Sequence, residues 1–162
     1  MAIYFSNQNI QEINSKINAT GGTVVQVVET RSTANLACAN WATANFLFSG
    51  TITPTVSTNK ILLYAYIPFR MDAGAGAWSL GYINVYRGLG TTHLMGSGWD
   101  GTWRNTISSW EKQYLDSPGS TSTQTYAVYA YNYPGGTCYY NNNAGQQGSD
   151  GYAYLRMTEI ST

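Results

Sequence analysis

The chemistry open to this chain is bounded by its side chains: one histidine, two cysteines, eight carboxylates and two short glycine-containing runs. His93, in Thr91-Thr92-His93-Leu94-Met95, has no second histidine or glutamate at the spacing that sets two metal ligands on one face, so it reads as a structural imidazole. Cys38 and Cys138 lie 100 positions apart and are expected as two buried thiols, with a disulfide as the minority alternative. Gly96-Ser97-Gly98 lacks the offsets of a nucleophile elbow. Asp72-Ala73-Gly74-Ala75-Gly76-Ala77 lacks the lysine and hydroxyl of a phosphate loop. No catalytic residue, metal site or cofactor is expected from these groups.

Paired carboxylates are the remaining enzymatic route, and glycoside hydrolysis would suit a chain rich in aromatic rings. The candidates are Glu29, Asp72, Asp100, Glu111, Asp116, Asp150 and Glu159. Asp100-Gly101 and Asp150-Gly151 have the form of turns, as does Asp116-Ser117-Pro118-Gly119, where the carboxylate ties the backbone. Asp72 and Asp100 could meet in space across loops, which the sequence alone does not show, so an enzyme is the least favoured class.

Aromatic residues make a stronger case for a contact surface. Trp99, Trp103 and Trp110 fall close together; Tyr129, Tyr131 and Tyr133 alternate along one stretch, as do Tyr152 and Tyr154. Rigid amphipathic rings suit protein interfaces and sugar stacking alike. The three tryptophans are therefore the candidates for contact with a glycan or partner, against the competing expectation that many of these rings fill a core.

The balance of charge narrows the partners. Eight basic and eight acidic residues leave a net charge of zero, and charged residues make up only 10% of the chain. Such a surface lacks the positive footprint needed for phosphates or anionic lipid, so no nucleic acid or membrane partner is expected. The longest apolar stretch, Ile61 to Phe69, is far short of the ~20 residues a membrane helix needs. Residues 1–22 do not have the pattern of a secretory leader, so synthesis and assembly in a cytoplasm are expected. Three lysines leave little long-range repulsion between copies, which favours association.

Two regions must position these groups. In residues 1–22, Ser6 precedes a stripe of Ile10, Ile13 and Ile17, spaced for one face of a short helix or a minimal heptad seam. Two such units are too short to hold a coiled coil alone, so the stripe is expected on the domain body, on sister chains or on a partner, as an anchoring or oligomer contact. From Thr23 onward the pattern is of strands: Val24 to Glu29, Phe46 to Thr53, Lys60 to Phe69, Ala77 to Arg87, His93 to Met95, Thr102 to Leu115, Thr123 to Tyr133, Thr137 to Asn142 and Tyr152 to Ile160. No helical crossover separates them, which predicts an all-β fold over 23–162: an antiparallel β-sandwich, jelly-roll-like, behind a short N-terminal arm.

The order of six pieces carries a resemblance. They are Val24-Val25-Gln26-Val27-Val28; Gly50-Thr51-Ile52-Thr53-Pro54 with Asn59-Lys60-Ile61-Leu62-Leu63; Tyr86-Arg87-Gly88; Tyr114-Leu115-Asp116-Ser117-Pro118-Gly119 with Thr123-Gln124-Thr125-Tyr126; Gly136-Thr137-Cys138-Tyr139-Tyr140-Asn141; and Leu155-Arg156-Met157-Thr158-Glu159-Ile160. In this order they resemble the β-sandwich domain of tailed-phage virion proteins, cyanophages among them, found in fibre, appendage and head-decoration proteins. The resemblance implies framework residues and no active site. It implies a non-enzymatic structural protein of the virion, assembled in the host cytoplasm, whose partners are itself as a homotrimer and other virion proteins. A carbohydrate- or host receptor-binding domain of a tail fibre, taking a host surface glycan, is the alternative.

Overall fold

The computed structural model describes residues 22–38, 44–73, 79–96, 100–102, 106–132, 136–141 and 152–162. Among these described residues there are eleven strands: β1 (Val24–Ser32), β2 (Leu36–Cys38), β3 (Asn45–Ile52), β4 (Lys60–Ala73), β5 (Ser79–Arg87), β6 (Thr92–Gly96), β7 (Asp100–Thr102), β8 (Thr106–Asp116), β9 (Gln124–Asn132), β10 (Gly136–Tyr140) and β11 (Ala153–Ile160). All strand-to-strand ladders are antiparallel. The sequence predicts eight or nine strands. The two additions, β2 and β7, are three residues each, too short to show an alternating pattern. The stretch read as one strand from Thr102 contains the end of β7, which pairs with β5, and β8, which pairs with β4.

Eight strands form two four-stranded layers, β1-β11-β4-β8 and β3-β9-β5-β6. In chain order the path visits the first layer with β1, the second with β3, the first with β4, the second with β5 and β6, the first with β8, the second with β9, and the first with β11. Crossing between layers in this order is the double Greek-key path of a jelly roll. The alternation in the sequence sets each layer's faces: Ile61, Leu63, Ala65 and Ile67 of β4 point inward, to join Ile83 and Val85 of β5 and Val128 and Ala130 of β9 in one core.

β4 is long because it serves several neighbours. One edge pairs with β8 over Ile61–Met71, while the other pairs with β11 over Lys60–Tyr66 and then with β10 over Phe69–Ala73. Pro68 has no N–H to give to a ladder, and it falls where that second edge changes partner. There its carbonyl accepts the amide of Asn141 at 2.9 Å. Asn141 has a φ of 59°, a left-handed conformation that asparagine tolerates better than most residues. Its side-chain amide donates to the Ala34 carbonyl at 3.0 Å, fixing the approach to β2.

Two buried polar networks join pieces of sequence that lie far apart. Glu159, fully buried near the end of β11, accepts hydrogen bonds from the Gln26 amide, the Thr55 N–H and hydroxyl, and the Asn59 amide. Burial by itself would raise its pKa. The bonds from Asn59, Gln26 and Thr55 together outweigh burial and hold the carboxyl down to about 2. In the same cross-strand row, on the other side of Ile61, Asp116 at the end of β8 accepts the Tyr126 hydroxyl of β9 at 2.8 Å and Arg87 Nη1 of β5 at 3.1 and 3.2 Å. That cluster ties the two layers together. Its Tyr126 is shifted far up from its ordinary pKa by burial and by donation to Asp116.

Candidate functional site

The charged side chains are divided unequally between the two layers. β3, β5, β6 and β9 contain a single Asp, Glu, Lys or Arg residue among them, Arg87, and it turns inward to Asp116. β1, β4, β8 and β11 carry the remainder of those found in the main strands. Each layer therefore presents a different outer face.

Register lays out the outer face of the first layer in cross-strand rows. One row joins Val27, Thr158, Leu62 and Leu115. Beside it, Val24 opposes Ile160, and Leu62 and Ile160 form an apolar cluster separate from the core. Val24, Val25 and Val27 are 40–45% exposed, and Leu115 is exposed as well. The row lies where the chain enters from residue 22, because Thr23 and Ser161 bind one another through their backbones at 2.9 Å.

The next rows are polar and aromatic. Glu29, Arg156, Tyr64 and Gln113 form one; Arg31, Tyr154, Tyr66 and Glu111 form the other. Glu29 accepts Arg156 at 2.8 Å and Arg31 at 2.6 Å. Burial opposes its ionisation, and the two guanidinium groups overcome this to lower its pKa. The Tyr66 and Tyr154 rings stack at 5.4 Å, Arg31 lies 4.6 Å over the ring of Tyr152, and the Tyr64 hydroxyl donates to Glu111 at 2.9 Å. With the charges paired among themselves and the rings already stacked, these rows can act as a stiff surface and offer no free acid or base.

The outer face of the second layer is neutral and aromatic. Phe46 meets Tyr129 edge-on at 5.6 Å, Tyr129 meets Tyr86 at 5.5 Å, and Tyr86 meets His93 at 5.3 Å. The hydroxyls of Tyr86 and Tyr131 are 3.3 Å apart; burial, then this contact, push Tyr86 up to about 12. Ala127 is fully buried on this face, opposite Tyr86 and Ser49 in register. Phe46 and, in the adjoining turn, Leu89 remain exposed.

Several residues singled out in the sequence find their place here. Trp110 is 2% exposed and belongs to the core, so the expectation of a glycan or partner contact at this residue is corrected. It pairs with Ile67 at an inward position of β8, where a large ring fills space between layers. Trp99 and Trp103, like Ile10, Ile13 and Ile17, lie outside the described residues. His93 contacts Tyr86, with Nε2 3.4 Å from Asn84 Oδ1. Asp72 opposes Thr137 in the first sheet and Asp100 opposes Gly81 in the second. Glu29, Asp116 and Glu159 are each held by basic or amide donors in structural roles. Among the described residues, no three His, Cys, Asp or Glu side chains converge as metal ligands, and no helix is long and apolar enough to cross a membrane.

The sequence pattern identified the shared faces of Tyr129 and Tyr131 and of Tyr152 and Tyr154, while Tyr133 lies outside the described residues. It missed the junction of Tyr154 with Tyr64 and Tyr66, which depends on register between segments about ninety residues apart and leaves no local periodic trace.

No protein-family model matches this chain, and no curated protein does. Among solved structures, that of the T13 particle of infectious bursal disease virus aligns with a TM-score of 0.49 and 10% identity, covering 83% of this chain and 37% of that one. The VP2 subviral particle of the same virus aligns with a TM-score of 0.48 and 8% identity, over 83% of this chain and 39% of that one. The chain thus spans well under half the length of these similar structures. The jelly-roll assignment itself stands on the strand order and register given above.

Proposed function

We propose that the chain is a non-enzymatic structural protein of a bacteriophage particle, a head decoration, knob or small fibre. It docks through residues 1–22 and presents a homotrimer of jelly rolls outward. The observation that carries this reading is the exposed apolar row of Val24, Val27 and Leu115, with Leu62 and Ile160 between them, on the face where the chain enters from residue 22. An interface core is depleted of charge; the row of Val27, Thr158, Leu62 and Leu115 has none, and the adjoining row of Val24 and Ile160 meets a charge only at Lys60. Arms bearing Ile10, Ile13 and Ile17 at heptad spacing would bring three copies together at that same end. The ordered resemblance to phage virion domains supports the source. The particle is assembled in the host cytoplasm, with other virion proteins as partners. Mass spectrometry of purified particles tests the reading: the protein is expected in fixed stoichiometry with the particle, and its absence from washed particles counts against the proposal.

A second reading is favoured by one observation, the neutral aromatic face of Phe46, Tyr86, Tyr129, Tyr131 and His93. Rings with polar tips, on a layer whose one Arg turns inward, suit a neutral host surface glycan. On this reading, Tyr129→Ala and Phe46→Ala each abolish retention on an immobilised neutral polysaccharide without changing oligomer mass. Retention of the variants equal to that of the wild type removes it.

A further inference from the structure

We propose that Cys38 and Cys138 form a redox-gated staple: two thiols in reducing surroundings, and an intramolecular disulfide once small-molecule disulfides prevail. The two residues are 100 positions apart in the chain, yet they stand directly opposite one another in the β2–β10 ladder. Both are buried in the same core cluster, so both side chains project from the same face of the sheet. Opposed residues of antiparallel strands hold their Cα atoms about 4.5–5.5 Å apart, within the roughly 4.4–6.8 Å that a disulfide spans. Both cysteines carry free thiols in this structure.

The closed sandwich protects the pair. Burial pushes the Cys38 thiol up to about 11 and the Cys138 thiol up to about 12, the latter opposed in part by the Tyr140 hydroxyl beside it. Thiols of that kind are poor nucleophiles near neutrality. Access comes through β2, a three-residue strand at the outer end of its sheet whose only ladder among the described residues is with β10. A short edge strand opens at low cost without unfolding the core. In the opened state one thiolate attacks a sulfur of the oxidant, such as oxidised glutathione, breaking its S–S bond and releasing one thiol. The second thiolate then attacks the mixed disulfide, forming the Cys38–Cys138 bond and releasing the other thiol. Two electrons and two protons pass from the protein to the oxidant, and β2 is locked onto β10.

The test is incubation of the full chain with oxidised glutathione at mildly alkaline pH, followed by alkylation in denaturant, mass spectrometry and peptide mapping. Two reactive thiols should fall to none, with loss of two hydrogen atoms and linkage of the Cys38 and Cys138 peptides in a single chain. The melting temperature should rise by something on the order of 5–15 °C, revert with a reductant, and stay fixed in Cys38→Ala. Two thiols still reactive after incubation in subdenaturing urea, a persistent glutathione adduct, or disulfide-linked dimers would each overturn the proposal. The thiol count and peptide map in the wild type decide the matter even if Cys38→Ala does not fold.

Discussion

The Tyr126 hydroxyl of β9 donates to Asp116 Oδ2 of β8 at 2.8 Å, joining the two layers of the sandwich through a buried hydrogen bond. Arg87 of β5 approaches the same carboxylate at 3.1 Å. Tyr126→Phe keeps the ring but leaves Asp116 with one fewer donor in a buried site, so a loss of about 1–3 kcal/mol is expected in urea denaturation. Asp116→Ala strands both Arg87 and Tyr126 and should cost more, about 3–5 kcal/mol. Equal effects from the two changes would show that the carboxylate is not the centre of the cluster.

Acid should act through the second buried network, around Glu159. Glu159 has a folded pKa of about 2 against an ordinary value of 4.5. A depressed carboxyl contributes stability that is fully present above the unfolded value and is lost as pH falls through the folded one. Stability measured by denaturant should therefore drop between pH 4.5 and about 2. Glu29, lowered by Arg156 and Arg31 against the cost of its burial, contributes with the same sign. Glu159→Gln replaces an acceptor by a group that sets its own N–H against neighbouring donors; it should cost about 2–4 kcal/mol at neutral pH and flatten the acid slope. An unchanged slope in this variant would place the acid response elsewhere.

Much of the fold was legible in the sequence, for reasons these two networks make concrete. Alternation over Ile61 to Phe69 separates the two faces of β4, and the turn at Asp116–Gly119 marks the end of β8. What the sequence concealed was convergence. Asp116 reads as a local turn former, and only pairing of β8 with β4, with β9 and β5 across the core, reveals it as a tie between layers. Most of the six pieces whose order was singled out meet in these same networks: Gln26 and Asn59 with Glu159, Arg87 with Asp116 and Tyr126. Trp110 was misjudged because a large ring in a strand has the same local signature whether it faces a partner or a core.

Close approach between layers makes Gly50 sensitive. A Cβ at this position of β3 would lie 2.6 Å from Met157 Cε and 2.7 Å from Thr30 Oγ1. Gly50→Ala should cost about 1–3 kcal/mol by overpacking. Adding Thr30→Ala should recover part of that loss, a non-additivity expected of residues in contact. Strictly additive effects in thermal denaturation would argue that β3 and β1 do not approach as described.

The apolar row on the first layer should govern association without governing folding. Val27→Lys and Leu115→Lys each place a charge on an exposed position. Each should weaken self-association about tenfold or more, the ~1.4 kcal/mol or more expected when an unpaired charge is forced into an apolar interface. Melting temperature at a concentration where the chain is already dissociated should stay within a degree or two. Loss of β-sheet circular dichroism in these variants would show that the row is structural instead.

Sedimentation equilibrium of the full chain at micromolar concentration tests trimeric assembly. A single species with the mass of three chains is expected, reduced to that of one chain by Val27→Lys. A wild-type protein that sediments as one chain across that range would contradict it.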